Sequence, residues 1–216
     1  MIPINLSFIP DSAPNLLAPS FHSGPMFYLL VFVIILLGAV FIITPVPENS
    51  ILFLAGALAV GGQVSLEWVL LVSIAAAYIG YDLNYWTARL LNLAVCHRFC
   101  PHILRAGNIE KARALIERFG PLSVVVSRFI PAVNLPPFVA GLDAMNYRYY
   151  AAANLVGAVL WCVITVLLGY FIGSLDVIQD YVNFLFDIAI LVTIAAFAYA
   201  VVLLVRANRE GAGSHA

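Results

Sequence analysis

The sequence predicts an all-α polytopic membrane protein with about four spanning helices. It also predicts two opposed re-entrant helical hairpins in an inverted-repeat arrangement. The composition is 63% hydrophobic and only 10% charged, whereas soluble domains carry about 25% charged residues. Residues 12–47, 149–175 and 188–205 contain no Asp, Glu, Lys or Arg, and one span needs roughly 20 apolar residues. Two further apolar segments are interrupted by prolines, which a continuous helix does not tolerate.

The apolar runs predict helices at about 26–44, 64–91, 147–173 and 182–205. They belong to one membrane domain, residues 26–206, which follows a proline-dotted leader at 1–25 and precedes a tail at 207–216. The leader contains no Lys or Arg. A cleaved signal peptide begins with basic residues, so the leader is not expected to be one.

Basic residues predict the orientation of the chain in the membrane. Six of the ten Lys and Arg residues lie in the polar segment at about 89–118, and cytoplasmic loops collect such residues. This segment and the tail, with Arg206 and Arg209, are therefore expected in the cytoplasm, and the acidic turn at 173–181 outside. The segment from Asn108 to Gly120 has the pattern of an amphipathic helix. We expect it on the membrane surface, with a solvated packing helix as the alternative.

Two proline-broken segments occupy corresponding positions in the two halves of the chain. They are predicted re-entrant loops at about 45–62 and 119–145, each too short to cross the membrane twice. Aligning Ala55–Gly56 with Ala140–Gly141 brings their prolines into similar positions. Paired interruptions of this kind point to a transporter's binding site. The residues expected to shape the loops are Pro45, Pro47, Gly56, Pro131 and Gly141.

Ionisable residues inside apolar segments are the candidate functional residues. Glu48, Asp82 and Arg128, and Asp143 just after the second loop, each need a partner or a wet cavity, because a charge at the centre of a membrane helix costs roughly 2.5 to 3.5 kcal/mol. If the loops meet, Glu48 and Arg128 either form a structural ion pair or line a cavity. In a cavity, Arg128 would hold an anionic head group and Glu48 would accept a proton. Asp82 is expected beside that cavity or near the membrane interface.

Asn154 and Trp161 are predicted supporting residues. They lie seven positions apart on one face of a predicted helix, so both side chains face inward or toward a neighbouring helix. Packing between helices is the alternative role for this pair.

No metal or cofactor is predicted. A cluster of thiols and imidazoles, Cys96, His97, Cys100 and His102, has some of the composition of a zinc site. Its Cys-x3-Cys spacing differs from the Cys-x2-Cys of common zinc sites. Three cysteines also give no paired disulfide framework.

The second broken segment and the helix after it resemble the signature region of the DedA, or SNARE-associated (VTT domain), membrane proteins. The resemblance covers about residues 40–170 and also includes "PVPE", "LAGAL" and "GYDLNYW". The matching positions of the signature are Phe119, Gly120, Arg128, Phe129, Pro131, Ala140, Gly141, Met145, Asn154, Gly157, Ala158 and Trp161.

The resemblance implies two opposed re-entrant loops and movement of lipids between leaflets. Members of this family are linked to recycling of undecaprenyl phosphate and to phospholipid scrambling, in some cases coupled to protons. Three departures from the family pattern stand out. No glycine separates Pro47 from Glu48, no acid lies near Ala39, and Asn134 replaces a second arginine. Asn134 can donate hydrogen bonds but brings no charge.

The function expected from these observations is a lipid transporter or flippase rather than an enzyme. Its expected partners are membrane lipids with anionic or phosphate head groups, and protons. No nucleic-acid partner is expected, and the sequence is compatible with an oligomer. The expected location is a bacterial-type inner membrane, with both termini in the cytoplasm. The alternatives are an enzyme acting on lipid phosphates and a non-transporting scaffold. No spacing supplies a nucleophile with a base, and a scaffold needs no buried charges on broken loops.

Overall fold

The computed structural model of the chain describes residues 24–40, 48–90, 106–129, 135–175, 182, 184–195, 198 and 202. These ranges contain helices and no strand, so the predicted all-α class is confirmed. The helices are α1 (Pro25–Val40), α2 (Glu48–Val60), α3 (Leu66–Leu90), α4 (Ala106–Phe119), α5 (Leu122–Ser127), α6 (Pro136–Leu142), α7 (Tyr147–Gly173) and α8 (Phe184–Ala195).

Helices α3 and α7 are long and apolar enough to cross a bilayer. Their 25 and 27 residues correspond to about 37 and 40 Å, against a hydrocarbon core of about 30 Å. Large apolar side chains on both remain exposed, such as Leu71 and Phe171. Such exposure suits lipid contact. The described parts of α1 and α8 are shorter apolar helices, so the count of four spans stays a prediction.

The two proline-broken segments form short helices. Helix α2 begins directly after Pro47 and has 13 residues, which is about 20 Å. The second segment contains α5 and α6, of 6 and 7 residues. None of these helices reaches the length of a span. How deep they enter a membrane stays a prediction, and Pro45, Pro47, Pro131 and Asn134 lie outside the described residues.

Helices α2 and α6 each pack against the long helix of the other half. Gly56 of α2 lies against the backbone carbonyl of Val166 in α7, and Gly141 of α6 lies against that of Tyr85 in α3. A Cβ atom at either glycine would overlap the carbonyl. These are the two glycines that the sequence alignment paired, and both mark a backbone-to-backbone approach between helices.

Contacts at the two ends of α7 show which turns lie at the same end of the long helices. Near the end of α3, the Tyr85 hydroxyl donates to the carbonyl of Met145, just before α7 begins, at 2.6 Å. At the other end of α7, Gly173 lies against Ala57 of α2. The turn between α2 and α3 therefore lies with the end of α7, opposite the turn that follows α6.

Helix α4 is the amphipathic helix predicted after Asn108. Its apolar residues Ile109 and Ala112 pack against Phe138 and Val139 of α6. It ends at Phe119, and Gly120 adopts a positive φ of 58°, which favours glycine at a helix end. The preceding part of the basic segment, residues 91–105, lies outside the described ranges together with the four thiol and imidazole residues considered for a metal. Within those ranges, no group of His, Cys, Asp and Glu is suited to hold a metal ion.

Candidate functional site

Arg128 lies where α5 ends and contacts both long helices. Its Nη2 donates to the carbonyl of Ala77 in α3 at 3.1 Å and to Oδ1 of Asn154 in α7 at 2.7 Å. The residue caps α5 with helical backbone angles. The Arg128 side chain therefore connects α5, in the second broken segment, to both long helices.

Aromatic rings cover the guanidinium group. Its central carbon lies 3.6 Å from the ring centroid of Tyr81 and 6.0 Å from that of Trp161. A cation over an aromatic face is attracted by the ring quadrupole, and this attraction strengthens as water is removed. The methylene side of Arg128 rests on Gly157, where a Cβ would come within 3.3 Å of its Cδ and Nε.

The hydrogen bonds of Arg128 leave part of its donor capacity unused. Both bonds in the described part of the chain come from Nη2, and an arginine also has donors on Nε and Nη1. The Nε atom is buried and has no hydrogen-bond partner among the described residues. A buried donor without an acceptor is costly. The arrangement thus has capacity for a further acceptor.

Glu48 is the first residue of α2, and its side chain packs into the space left by Gly38 of α1. The opposite charges of Glu48, at the start of α2, and Arg128, at the end of α5, attract each other. The described residues show no ion pair between the two, and Nη2 of Arg128 donates to Ala77 and Asn154. Glu48 thus lies in the electrostatic field of Arg128 without neutralising it by direct contact.

Trp161 connects the Glu48 side of the site to Arg128. Its indole Nε1 donates to Oδ1 of Asn49 at 3.1 Å, and Asn49 follows Glu48 directly. Asn154 has no exposed surface and donates from Nδ2 to the carbonyl of Tyr78 at 3.0 Å. The two supporting residues from the sequence therefore face inward, and each has a polar partner in the site.

Asp82 lies in a neighbouring aromatic cluster. Its Oδ2 accepts from the Tyr147 hydroxyl at 3.3 Å, and its Oδ1 is buried without a partner among the described residues. The rings of Trp86 and Tyr147 are 5.2 Å apart beside it. Within the same part of the chain, Asp82 makes no hydrogen bond to Arg128, so these two predicted site residues belong to adjacent environments.

Three contributors to the site were not predicted as site residues, although Gly157 is one of the matching signature positions. Tyr81 stacks on Arg128, Asn49 accepts from Trp161, and Gly157 leaves room for the arginine side chain. One signal was available, because Asn154 and Gly157 are three positions apart and share a helix face. Asn49 carries no such signal, since its partner lies more than one hundred positions away in the chain.

A surface ion pair fixes the end of α6. Arg113 of α4 forms a two-pronged contact with the Asp143 carboxylate, with Nη2 to Oδ1 at 2.6 Å and Nε to Oδ2 at 3.0 Å. The hydrogen bonds and charge of Asp143 raise the pKa of Arg113 above its ordinary value. Both side chains are exposed to solvent, so the pair orients α4 on α6 more than it stabilises the fold.

Together these features define an all-helical membrane protein in which Arg128, at the end of a short helix, contacts the two long helices. Comparison with known proteins identifies the family. Residues 46–171 match the model of the VTT domain, and the chain belongs to this family.

Several relatives match over most of their length. Protein DedA of Escherichia coli K12 is 31% identical over 193 residues, which are 88% of this chain and 87% of the relative. Inner membrane protein YqjA of the same strain is 29% identical, over 81% of this chain and 80% of the relative. Undecaprenyl phosphate transporter A of Staphylococcus aureus is 28% identical over 148 residues, or 66% and 72% of the two chains. No solved structure matches the chain significantly.

Proposed function

We propose that this protein transports a phosphate-headed lipid between the leaflets of a bacterial-type inner membrane. The observation that carries the proposal is the Arg128 guanidinium, which is anchored by Nη2 and keeps donors on Nε and Nη1 without acceptors in the described chain. Arginine is well matched to phosphate oxygens by charge and geometry. The name of the related undecaprenyl phosphate transporter A supports this class of lipid.

In the proposed mechanism, Arg128 holds the lipid phosphate and Glu48 responds to a proton. Electrostatic attraction between Glu48 and Arg128 links protonation of the carboxyl group to the field at the phosphate. A charged Glu48 competes with the lipid anion for Arg128, and a protonated one does not. The protein needs no cofactor for this cycle. Both termini face the cytoplasm in this proposal, and the broken segments are re-entrant loops that enter from opposite sides.

The role of Arg128 is tested by lipid binding and leaflet exchange in liposomes that contain undecaprenyl phosphate. We expect Arg128→Ala to abolish both, and Asn134→Ala to weaken them only partly. A charge-assisted hydrogen bond contributes roughly 1.5 to 3 kcal/mol, and a neutral one about 1. Asn134→Arg restores the family pattern, so it is expected to bind anionic lipid more tightly. Unchanged binding in all three variants would place the lipid path elsewhere.

The role of Glu48 is tested by the pH dependence of exchange. Glu48→Gln keeps the shape of the side chain and removes its charge. We expect the variant to fold and to exchange lipid at a rate that no longer changes with pH, while the wild type becomes faster as pH falls and the carboxyl group is protonated. Thermal unfolding in detergent serves as the folding control. A wild-type pH profile in Glu48→Gln would reduce Glu48 to a structural role.

A further inference from the structure

An apolar cleft of about 620 Å³ opens between α2, α7 and α8. Its walls are mostly hydrocarbon, from residues such as Phe53 of α2 and Ala189 and Val192 of α8. Three polar side chains interrupt this lining, namely Asn49, Ser50 and Thr165. Pockets of this volume, largely apolar with a few convergent polar groups, are typical of small-molecule sites.

One polar residue of the cleft, Asn49, is connected to Arg128 through Trp161. Asn49 lines the cleft and also accepts the hydrogen bond from Trp161, whose ring lies 6.0 Å from the guanidinium carbon of Arg128. Trp161 therefore lies between the polar part of the cleft and Arg128. Polar side chains on lipid-facing helices need polar partners, because hydrocarbon supplies none.

We infer that this cleft holds the hydrocarbon chain of the lipid whose phosphate binds at Arg128. This inference rests on the proposed function and adds the path of the lipid tail. An occupant that is apolar along its length and polar at one end satisfies both parts of the lining. The atoms next to the phosphate would contact Asn49, Ser50 and Thr165, and the tail would run along α8 past Val192.

The cleft is tested with a phosphatidic acid that carries a diazirine in its acyl chain, in phosphatidylcholine nanodiscs. We expect photolabelling to concentrate on α2 and α8 residues that line the cleft. Val192→Trp fills the cleft from an exposed position and should reduce labelling several-fold. Ile194→Trp is the matched control, because Ile194 is similarly exposed on α8 but does not line the cleft. Val192→Phe provides a milder version of the same block.

Labelling spread evenly over the lipid-facing surface, or unaffected by Val192→Trp, would overturn the inference. A diazirine-tailed diacylglycerol, which lacks the phosphate, separates this failure from that of the proposed function. We expect phosphatidic acid to label the cleft more strongly than diacylglycerol, and Arg128→Gln to remove the difference. Equal labelling by the two probes in the wild type would overturn the head-group site and its link to the cleft. A phosphate preference that depends on Arg128 but is insensitive to Val192→Trp would overturn the cleft alone.

Discussion

At the scale of single residues, the contact between Asn154 and Arg128 decides how much positive charge the site offers. Asn154 is a neutral acceptor, so it orients the guanidinium group at 2.7 Å without neutralising it. A carboxylate at the same position would form a buried ion pair. The choice of an amide therefore keeps Arg128 in place and still available to an anion.

Asn154→Asp tests this distinction between orientation and neutralisation. We expect the variant to stay folded, because the new ion pair offsets the lost hydrogen bond to the carbonyl of Tyr78, which contributes about 1 kcal/mol. We expect binding of anionic lipid to fall at least tenfold, since the introduced carboxylate would neutralise the charge of Arg128. Thermal unfolding and lipid binding are measured together. Wild-type binding in a folded Asn154→Asp protein would contradict the proposed head-group site.

The polar residues of the site were partly predictable from the sequence. Glu48, Arg128 and Asn154 are polar side chains in apolar surroundings, and such residues need partners wherever they lie. Their particular partners were not predictable. Arg128 bonds to a backbone carbonyl of α3 rather than to Glu48, and carbonyl positions follow from helix crossings that residue type does not specify. Tyr150 is likewise buried and donates to the carbonyl of Tyr81, a contact that the sequence did not predict.

At the scale of the helices, glycine determines how closely α2 and α7 approach. Gly169 of α7 lies against the backbone carbonyl of Phe53, and a Cβ there would overlap that carbonyl. Backbone cannot move aside as a flexible side chain can. The approach of α7 to Phe53 therefore depends on the absence of a side chain at position 169.

Gly169→Ala is expected to destabilise the protein strongly, by roughly 1 to 3 kcal/mol as for other overpacked contacts. Gly107→Ala is the matched control. Gly107 lies in α4 with open space around its Cβ position, so alanine should be neutral or stabilising by about 1 kcal/mol through helix propensity. Thermal unfolding in detergent measures both. Equal midpoints for the two variants would show that α2 and α7 are less closely packed than described.

The correspondence between the two broken segments was predictable from the sequence. The packing of α2 against α7 and of α6 against α3 was not. The motifs around Gly56 and Gly141 identified corresponding positions. Neither motif indicates which long helix the glycine contacts, because a small residue permits close approach to any helix. The contacts of Gly56 with Val166 and of Gly141 with Tyr85 show which long helix each glycine contacts.

At the scale of the whole molecule, the turn after α2 and the turn after α6 lie at opposite ends of the long helices. In the proposed orientation, Gln63 faces the outside and Arg148 the cytoplasm. Both residues are exposed, so each can be replaced by cysteine in a background without the three native cysteines.

An impermeant maleimide added to intact cells is expected to label Gln63→Cys and to spare Arg148→Cys. After permeabilisation, both variants should react. The reversed pattern would invert the proposed orientation, and labelling of both variants in intact cells would contradict the opposed arrangement of the two loops. Expression of each variant at wild-type level is the control.

The packing of α2 on α7, which is synthesised much later, has a consequence for biosynthesis. Gly56 contacts Val166, so α2 leaves the ribosome before its partner in α7 has been made. At about 5 to 20 residues per second, the intervening chain takes roughly 5 to 20 seconds to synthesise. Throughout this interval α2 lacks its contact with Val166, and Arg128 is also missing until the chain reaches residue 128. A nascent chain that ends after α3 therefore carries an α2 whose Gly56 face has not yet met its partner in α7.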